Sequence, residues 1–393
     1  MKNNTKKPEK WRKKHHTITF GLLKCVFKPF FRLRYRLKPN KDELKVPQGA
    51  LIMGNHQTTY DQFIVMCSFK RPVYFIASED LFLNPVLGPI MKYTMRPISK
   101  SKSKSDLMTI KNTLKVLKEG NTVALFPEGN RTLSGGAWQI DFSTAKLVKV
   151  AKAPLVLYKI DGGYGTDPRW GGKIRRGKMS AGTVKIISAE QIAQMSLEEI
   201  YDQIVATLRS NDYEQGVNFK SRRRAEFLER ALYYCPNCNS FESLYSKGNY
   251  LYCKNCEMVA EYSEDLKIKA LAGVVPYDNV CEWFGAQQQA LNVAKSVCFN
   301  DNNVKLKLIY GKKWHGIGKG DITCDNERLV VNAYSGKKFD YALTEIDGAT
   351  VLGKRKINFY LPDGNTLQVA GNKRFCGVKY LHLFEKAKEK KGE

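Results

Sequence analysis

Between Pro47 and Arg209, short apolar runs of strand length alternate with segments of helical periodicity. No other feature constrains the fold of this 393-residue chain as tightly. The strand-length runs are 50–54, 73–77, 122–126, 155–160 and 183–188. Alternation of this kind buries a mostly parallel sheet under helices on both faces, so an α/β layer structure is expected. Leu107, Ile110, Leu114 and Leu117 recur at helical spacing, with Ser105 suited to cap that helix at its start and Gly120 at its end. A further helix near 196–209 should close the domain.

Two of the runs end in clusters of polar chemistry. Asn55-His56-Gln57-Thr58-Thr59-Tyr60-Asp61 follows the first, and Phe126-Pro127-Glu128-Gly129-Asn130-Arg131-Thr132 follows the third. Strand ends of this type present side chains at the open edge of a sheet, where sites form. On one continuous helix, five residues rotate by about 500°, so His56 and Asp61 meet only if the chain turns between them. Thr58 and Thr59 are poor helix formers and permit that turn. Once paired, Asp61 accepts one imidazole N–H, and the other ring nitrogen is left to take a proton from a hydroxyl. Histidine suits this task because its unperturbed pKa is about 6.5. Arg131 can hold a phosphate through two N–H groups, and Gly129 lets the backbone approach closely. Glu128 is better suited to fixing the loop or orienting Arg131 than to chemistry. The plain alternative is a strand-exit turn with a solvated arginine, and a histidine that merely neighbours an aspartate. Two such motifs in tandem weigh against it.

Together the motifs resemble the NHxxxxD and FPEGTR signatures of the glycerolipid acyltransferases, over roughly residues 20–210. The resemblance is to the type acting on 1-acylglycerol 3-phosphate. It implies transfer of a fatty acyl group from acyl-coenzyme A or acyl-carrier protein to the free hydroxyl of lysophosphatidic acid, with no covalent intermediate. By the same resemblance, His56 and Asp61 catalyse, while Glu128, Gly129, Arg131 and Lys100 bind the acceptor. Lys100 ends Pro97-Ile98-Ser99-Lys100, where the family usually has arginine. Asn130 replaces the commoner threonine, and Tyr158 stands near a position that is usually proline, whereas Pro154 matches. These departures leave the chemistry intact but leave the acceptor open to other lysophospholipids. Lys100, Lys102 and Lys104 alternate with serines and either touch phosphates of lysolipid or coenzyme A or form a solvated loop. Phe63, Met66, Leu81, Phe82 and Leu83 fit a core better than an acyl-chain groove.

The formal net charge is +27. Such an excess of cations favours anionic partners, either acidic lipid surfaces or nucleic acid. Residues 2–45 hold fifteen Lys and Arg against three acids, around Ile18, Phe20, Leu22, Leu23, Val26, Phe27, Phe30 and Phe31. On a helix, Lys24, Lys28 and Arg32 form one stripe and the apolar groups cover the rest, with Pro29 expected to break the helix in two. A basic amphipathic segment of this kind lies in a membrane interface. The other reading is a helix packed on the protein's own core, but the cationic flanks favour the membrane. No secretory signal and no uninterrupted apolar run of about 18 residues is evident. The expectation is therefore a cytoplasmic protein bound peripherally to the inner face of the cell membrane, with nucleic acid disfavoured as a partner.

Ten cysteines include two pairs, Cys235-Pro236-Asn237-Cys238 and Cys253-Lys254-Asn255-Cys256, separated by fourteen residues. That spacing resembles a zinc ribbon, whose four thiolates would close a structural zinc site. Six further cysteines are scattered, which suits a reducing compartment. A short basic helix is expected around 221–224, and another helix over 277–297. Six or seven strand-like runs then follow, among them 304–310, 328–333, 356–361 and 366–370, before a last helix near 378–388. This order is similar to a pleckstrin-homology or GRAM-type barrel. His315 and His382 have no acidic or cysteine neighbours and are read as structural. The chain thus divides into a membrane-interface segment (1–46), an acyltransferase domain (47–215), a linker helix with zinc ribbon (216–264) and a helix with a mainly β domain (265–393). Competing readings are a nucleic-acid-binding zinc-ribbon protein and a catalytically silent lipid-binding scaffold.

Overall fold

In the computed structural model, residues 10–39, 46–100, 107–137, 139–311 and 313–392 are described. Lys102, Lys104, Ser105 and residues 1–9 and 40–45 of the basic segment 1–46 lie outside the described residues. The chain divides into two units. The first holds Met1–Thr132, Ala137–Gly163 and Lys178–Asn211, and the second holds Leu133–Gly136, Tyr164–Gly177 and Asp212–Glu393. The cysteine-bearing stretch and the later strands therefore share one unit, where the sequence suggested two.

In the first unit the chain runs α1 (Lys14–Arg34), β1 (Lys38–Pro39), β2 (Leu51–Gly54), α2 (Asp61–Ser68), β3 (Val73–Ser78), α3 (Leu87–Thr94), β4 (Ile98–Lys100) and α4 (Leu107–Lys118). It continues through β5 (Thr122–Leu125), α5 (Ser143–Ala151) and β6 (Leu155–Asp161), and, after α6 (Gly163–Thr166), which belongs to the second unit from Tyr164 on, through β7 (Ser180–Ile187), α7 (Ala189–Gln194) and α8 (Leu197–Leu208). The strands form one sheet in the order β1-β7-β6-β2-β5-β3-β4. Strands β6, β2, β5, β3 and β4 are parallel, and β7 runs antiparallel to β6. Parallel strands covered on both faces must be apolar throughout. Accordingly Leu51, Met53, Tyr74, Val123, Leu155 and Leu157 are buried against Val116, Val148, Ile200 and Ile204 of the helices.

Local chemistry sets the helix ends. Gly120 adopts φ +74°, its N–H reaches Leu117 O at 2.9 Å, and the Asn121 N–H reaches Val116 O at 3.1 Å. This left-handed cap stops α4 and turns the chain into β5. At the start of α8, Ser196 and Glu199 cap each other's backbone N–H.

The break expected at Pro29 does not occur: α1 is continuous from Lys14 to Arg34. Proline removes one backbone hydrogen bond, but aromatic packing on either side holds the helix together. Phe27 stacks on Phe63 at 4.1 Å, and Phe30 and Phe31 meet Tyr35 and Tyr60 edge-on or tilted. Phe20 and Phe31 face the core, whereas Ile18, Leu22, Val26 and Leu33 are exposed on the opposite side. The helix therefore packs on the protein's own core along one face and leaves an apolar stripe exposed on the other.

The second unit is largely antiparallel. A four-stranded sheet holds β8 (Leu244–Lys247), β9 (Tyr250–Cys253), β10 (Val259–Tyr262) and β11 (Ile268–Ala272), followed by α9 (Val280–Val293). A seven-stranded sheet holds β12 (Cys298–Tyr310), β13 (Lys313–Asp325), β14 (Arg328–Ala333), β15 (Lys338–Ala342), β16 (Gly348–Leu352), β17 (Lys356–Tyr360) and β18 (Thr366–Ala370). The described chain ends in α10 (Val378–Gly392). The linker helix expected around 221–224 is not formed; the nearest helical turn is a 3-10 turn at Leu228–Arg230. Arg224 explains the difference. Its guanidinium pairs with Glu261 at 3.0 Å and Glu264 at 3.6 Å and donates to Tyr262 O, pinning an irregular segment to β10. His382 is buried, with Tyr233 Oη 2.8 Å from its Nδ1, and burial pushes its pKa down to about 3. It stays neutral, as a core residue. His315 stacks on Tyr310 at 3.6 Å.

Candidate active site

His56 sits one residue beyond Asn55, at the end of β2 where parallel strands open. The Asn55 carboxamide replaces the next rung of the sheet: Nδ2 donates to Ile160 O and Oδ1 accepts from Ile160 N, both at 2.7 Å. Gln57 Oε1 accepts the Gly163 N–H at 2.8 Å, so the residues on both sides of His56 are tied down at the end of β6.

The turn that the His–Asp pair requires is built by Asp61 itself. Its buried carboxylate accepts the Gln57 N–H at 2.6 Å, the Thr58 N–H at 2.9 Å and the Thr58 hydroxyl at 2.5 Å. It also lies in the first turn of α2, at the positive end of the helix. Asp61 Oδ2 lies 2.7 Å from His56 Nδ1. An ionised carboxylate only accepts, so Nδ1 carries the proton and Nε2 is left as the basic nitrogen. The His56 side chain keeps 20% of its surface exposed while Asp61 keeps none, so a substrate can reach the imidazole but not the carboxylate. The ring stacks on Phe126 at 4.5 Å with an interplanar angle of 17°, which fixes its plane.

The second motif holds the first by its backbone. Glu128 Oε1 accepts the His56 N–H at 2.9 Å, and the Thr132 N–H donates to His56 O at 3.0 Å. Gly129 takes φ +67° and its N–H closes on Phe126 O at 3.0 Å, a left-handed turn that a β-carbon would strain. Beyond it, Arg131 Nη1 donates to Thr59 Oγ1 at 2.7 Å. His56, Asp61, Glu128, Gly129 and Arg131 are thus brought together. Glu128 is buried, and its charge would repel a phosphate; its place is that of a loop anchor.

Lys100 stands apart. It ends β4, three strands across from β2, or about 14 Å at ordinary strand spacing. Its charge acts on Asp141, whose carboxyl is held below the usual range chiefly by hydrogen bonds from Ser143 and secondarily by Lys100 and Lys146. Tyr158, near a position usually proline, is fully buried with its hydroxyl 2.5 Å from Ser68 Oγ. Thr58, Thr59, Gln57 and Phe126 were not singled out as site residues from sequence. The available signal was a run of short hydroxyl and amide side chains directly after a strand, the types that satisfy loop backbone and carboxylates.

Residues 37–158 match the family model described as Acyltransferase. Within that class, the chain is 27% identical over 150 residues to a chloroplastic 1-acyl-sn-glycerol-3-phosphate acyltransferase of Arabidopsis thaliana, covering 37% of this chain and 41% of that protein. It is 28% identical over 123 residues to the 1-acyl-sn-glycerol-3-phosphate acyltransferase of Bacillus subtilis, covering 30% and 58% respectively. The chain therefore spans less than two thirds of the length of either relative. Among solved structures, the 1-acyl-sn-glycerophosphate acyltransferase of Thermotoga maritima aligns with a TM-score of 0.42 and 18% identity, covering 50% of this chain and 78% of that one.

In the second unit the Sγ atoms of Cys235, Cys238, Cys253 and Cys256 all lie within 4.8 Å of one another. The Cys235–Cys256 and Cys238–Cys253 separations are 3.7 Å, matching the edge of about 3.8 Å that a tetrahedron with Zn–S bonds of about 2.3 Å requires. The Asn255 N–H points at Cys253 Sγ at 3.3 Å, as it would toward a thiolate. The donor set fits zinc, with four protein ligands and no open position for chemistry.

Proposed function

We propose that this protein is a 1-acylglycerol-3-phosphate O-acyltransferase, moving a fatty acyl group from acyl-coenzyme A or acyl-carrier protein to the free hydroxyl of lysophosphatidic acid. The observation that carries the proposal is the 2.7 Å His56–Asp61 contact on a loop that also holds Arg131. The acceptor hydroxyl gives its proton to His56 Nε2 as its oxygen attacks the thioester carbonyl. Asp61 stabilises the imidazolium that forms. The tetrahedral intermediate then collapses, and the departing thiolate takes the proton back from His56. Atoms balance without an acyl-enzyme, and phosphatidic acid leaves with free thiol. Arg131 grips the acceptor phosphate so that the hydroxyl meets Nε2. Among the described residues no helix is long and apolar enough to cross a membrane. The exposed apolar stripe of α1 supports docking onto an anionic bilayer from one side. Zinc at the four cysteines would be structural.

The test is purified protein with a labelled acyl donor and a panel of lysolipids, with products resolved by mass. His56→Ala should lower transfer by about 10²–10⁴ while liposome flotation is unchanged. Transfer at the parental rate in that variant would remove His56 from the mechanism. Binding to DNA in preference to liposomes at matched salt would favour the nucleic-acid reading instead.

A further inference from the structure

We infer that Thr59 positions Arg131 and is itself a ligand of the acceptor's phosphate, an inference that rests on the acyl transfer proposed above. Neighbouring threonines diverge in this loop. Thr58 is buried and spends its hydroxyl on Asp61, whereas Thr59 is exposed and accepts from Arg131. One dipeptide thus holds both the carboxylate behind the imidazole and the Arg131 guanidinium.

Two consequences follow from the donor inventory. An arginine side chain loses rotamer freedom when it grips an anion, and a partner that holds it in advance removes part of that cost. Thr59 supplies such a partner at 2.7 Å. Further, a hydroxyl that accepts from a guanidinium keeps its own O–H to donate. That O–H serves an oxygen of the same anion that the guanidinium fork holds. A phosphate monoester offers three terminal oxygens, enough for the fork and the hydroxyl together. A diester headgroup offers two, so Thr59 favours monoester acceptors over diesters.

Steady-state kinetics on the full chain, with lysophosphatidic acid and lysophosphatidylcholine as acceptors, test this. Thr59→Val keeps shape and removes the hydroxyl. It should raise KM for lysophosphatidic acid about tenfold with kcat within about twofold, narrowing the preference for the monoester. Thr59→Ser should restore the parental KM. An unchanged KM in Thr59→Val, or the same defect in Thr59→Ser, overturns the inference. Calorimetric titration with glycerol 3-phosphate reads the contact without turnover. About tenfold weaker binding by Thr59→Val is expected, and equal affinity in both proteins refutes the role. If that difference holds while the parent transfers no acyl group, the proposed activity falls and Thr59 stands as an anion ligand.

Discussion

The Glu128 carboxylate touches the histidine's backbone, so its removal acts on geometry rather than on a reacting atom. Glu128→Ala leaves the His56 N–H without its acceptor in a part-buried loop, at a cost of about 1–3 kcal/mol in stability. A misplacement of roughly 1 Å at a general base costs about 10²-fold in rate, so kcat should drop toward that factor with KM little changed. Glu128→Gln keeps an acceptor oxygen and should recover most of the loss. Thermal unfolding together with kcat decides the matter: a normal kcat in Glu128→Ala would mean that this bond does not position His56. What was legible at this scale follows the same division. His56, Asp61 and Arg131 could be picked out from their motifs because the proposed transfer calls for those residue types. The divergence of Thr58 and Thr59 could not, since side-chain direction in a loop depends on the turn Asp61 imposes. Lys100 was grouped with the anion-binding residues by motif order, which does not reveal how many strands intervene.

Among the elements, α1 carries the strongest functional implication. Ile18, Leu22 and Val26 recur every fourth residue on its outer face, each about two-thirds exposed, with Leu33 beyond them. Lys28 and Arg32 are also solvent-exposed on the helix. The face continues onto α3, where Leu87, Ile90 and Tyr93 are exposed. The two helices are joined by Thr19 Oγ1 to Thr94 O at 2.8 Å and by His15 stacked on Tyr93 at 4.4 Å. An apolar side chain gains about 1.5–3 kcal/mol on full burial, so replacing two of these by aspartate should weaken binding to phosphatidylserine-containing vesicles by well over tenfold. In flotation, Leu22→Asp/Val26→Asp should stay with the soluble fraction while keeping the parental unfolding temperature. Unaltered flotation would place the membrane contact elsewhere. The periodicity behind this was readable because a helical stripe needs only residue order. The continuity of α1 through Pro29 was not, because the ring partners Tyr60 and Phe63 lie far along the chain. Strands β1 and β4, of two and three residues, are too short to leave a pattern.

For the molecule as a whole, the two units have separate cores, and their stabilities should respond to different perturbations. In the second unit Leu244, Leu251, Ala260, Tyr262 and Ile268 of the four-stranded sheet pack in one cluster with Trp170, Phe219 and Trp283. The four sulfurs lie next to this sheet in the chain: Cys253 ends β9, Cys256 lies between β9 and β10, and Cys235 and Cys238 precede β8. A metal bound only by the folded state adds its binding free energy to folding, and deprotonated thiolates are the form that binds it. Stripping it at neutral pH should therefore loosen the packing around Trp170 and Trp283 while leaving the sheet that carries His56 intact. Calorimetric scans should resolve two transitions, of which the chelator lowers one; Cys235→Ser/Cys253→Ser should lower the same one and abolish its chelator sensitivity. Elemental analysis should find one zinc per chain in the parent and none in the double variant. If both transitions ignore the chelator and no metal co-purifies, the four sulfurs are not a metal centre.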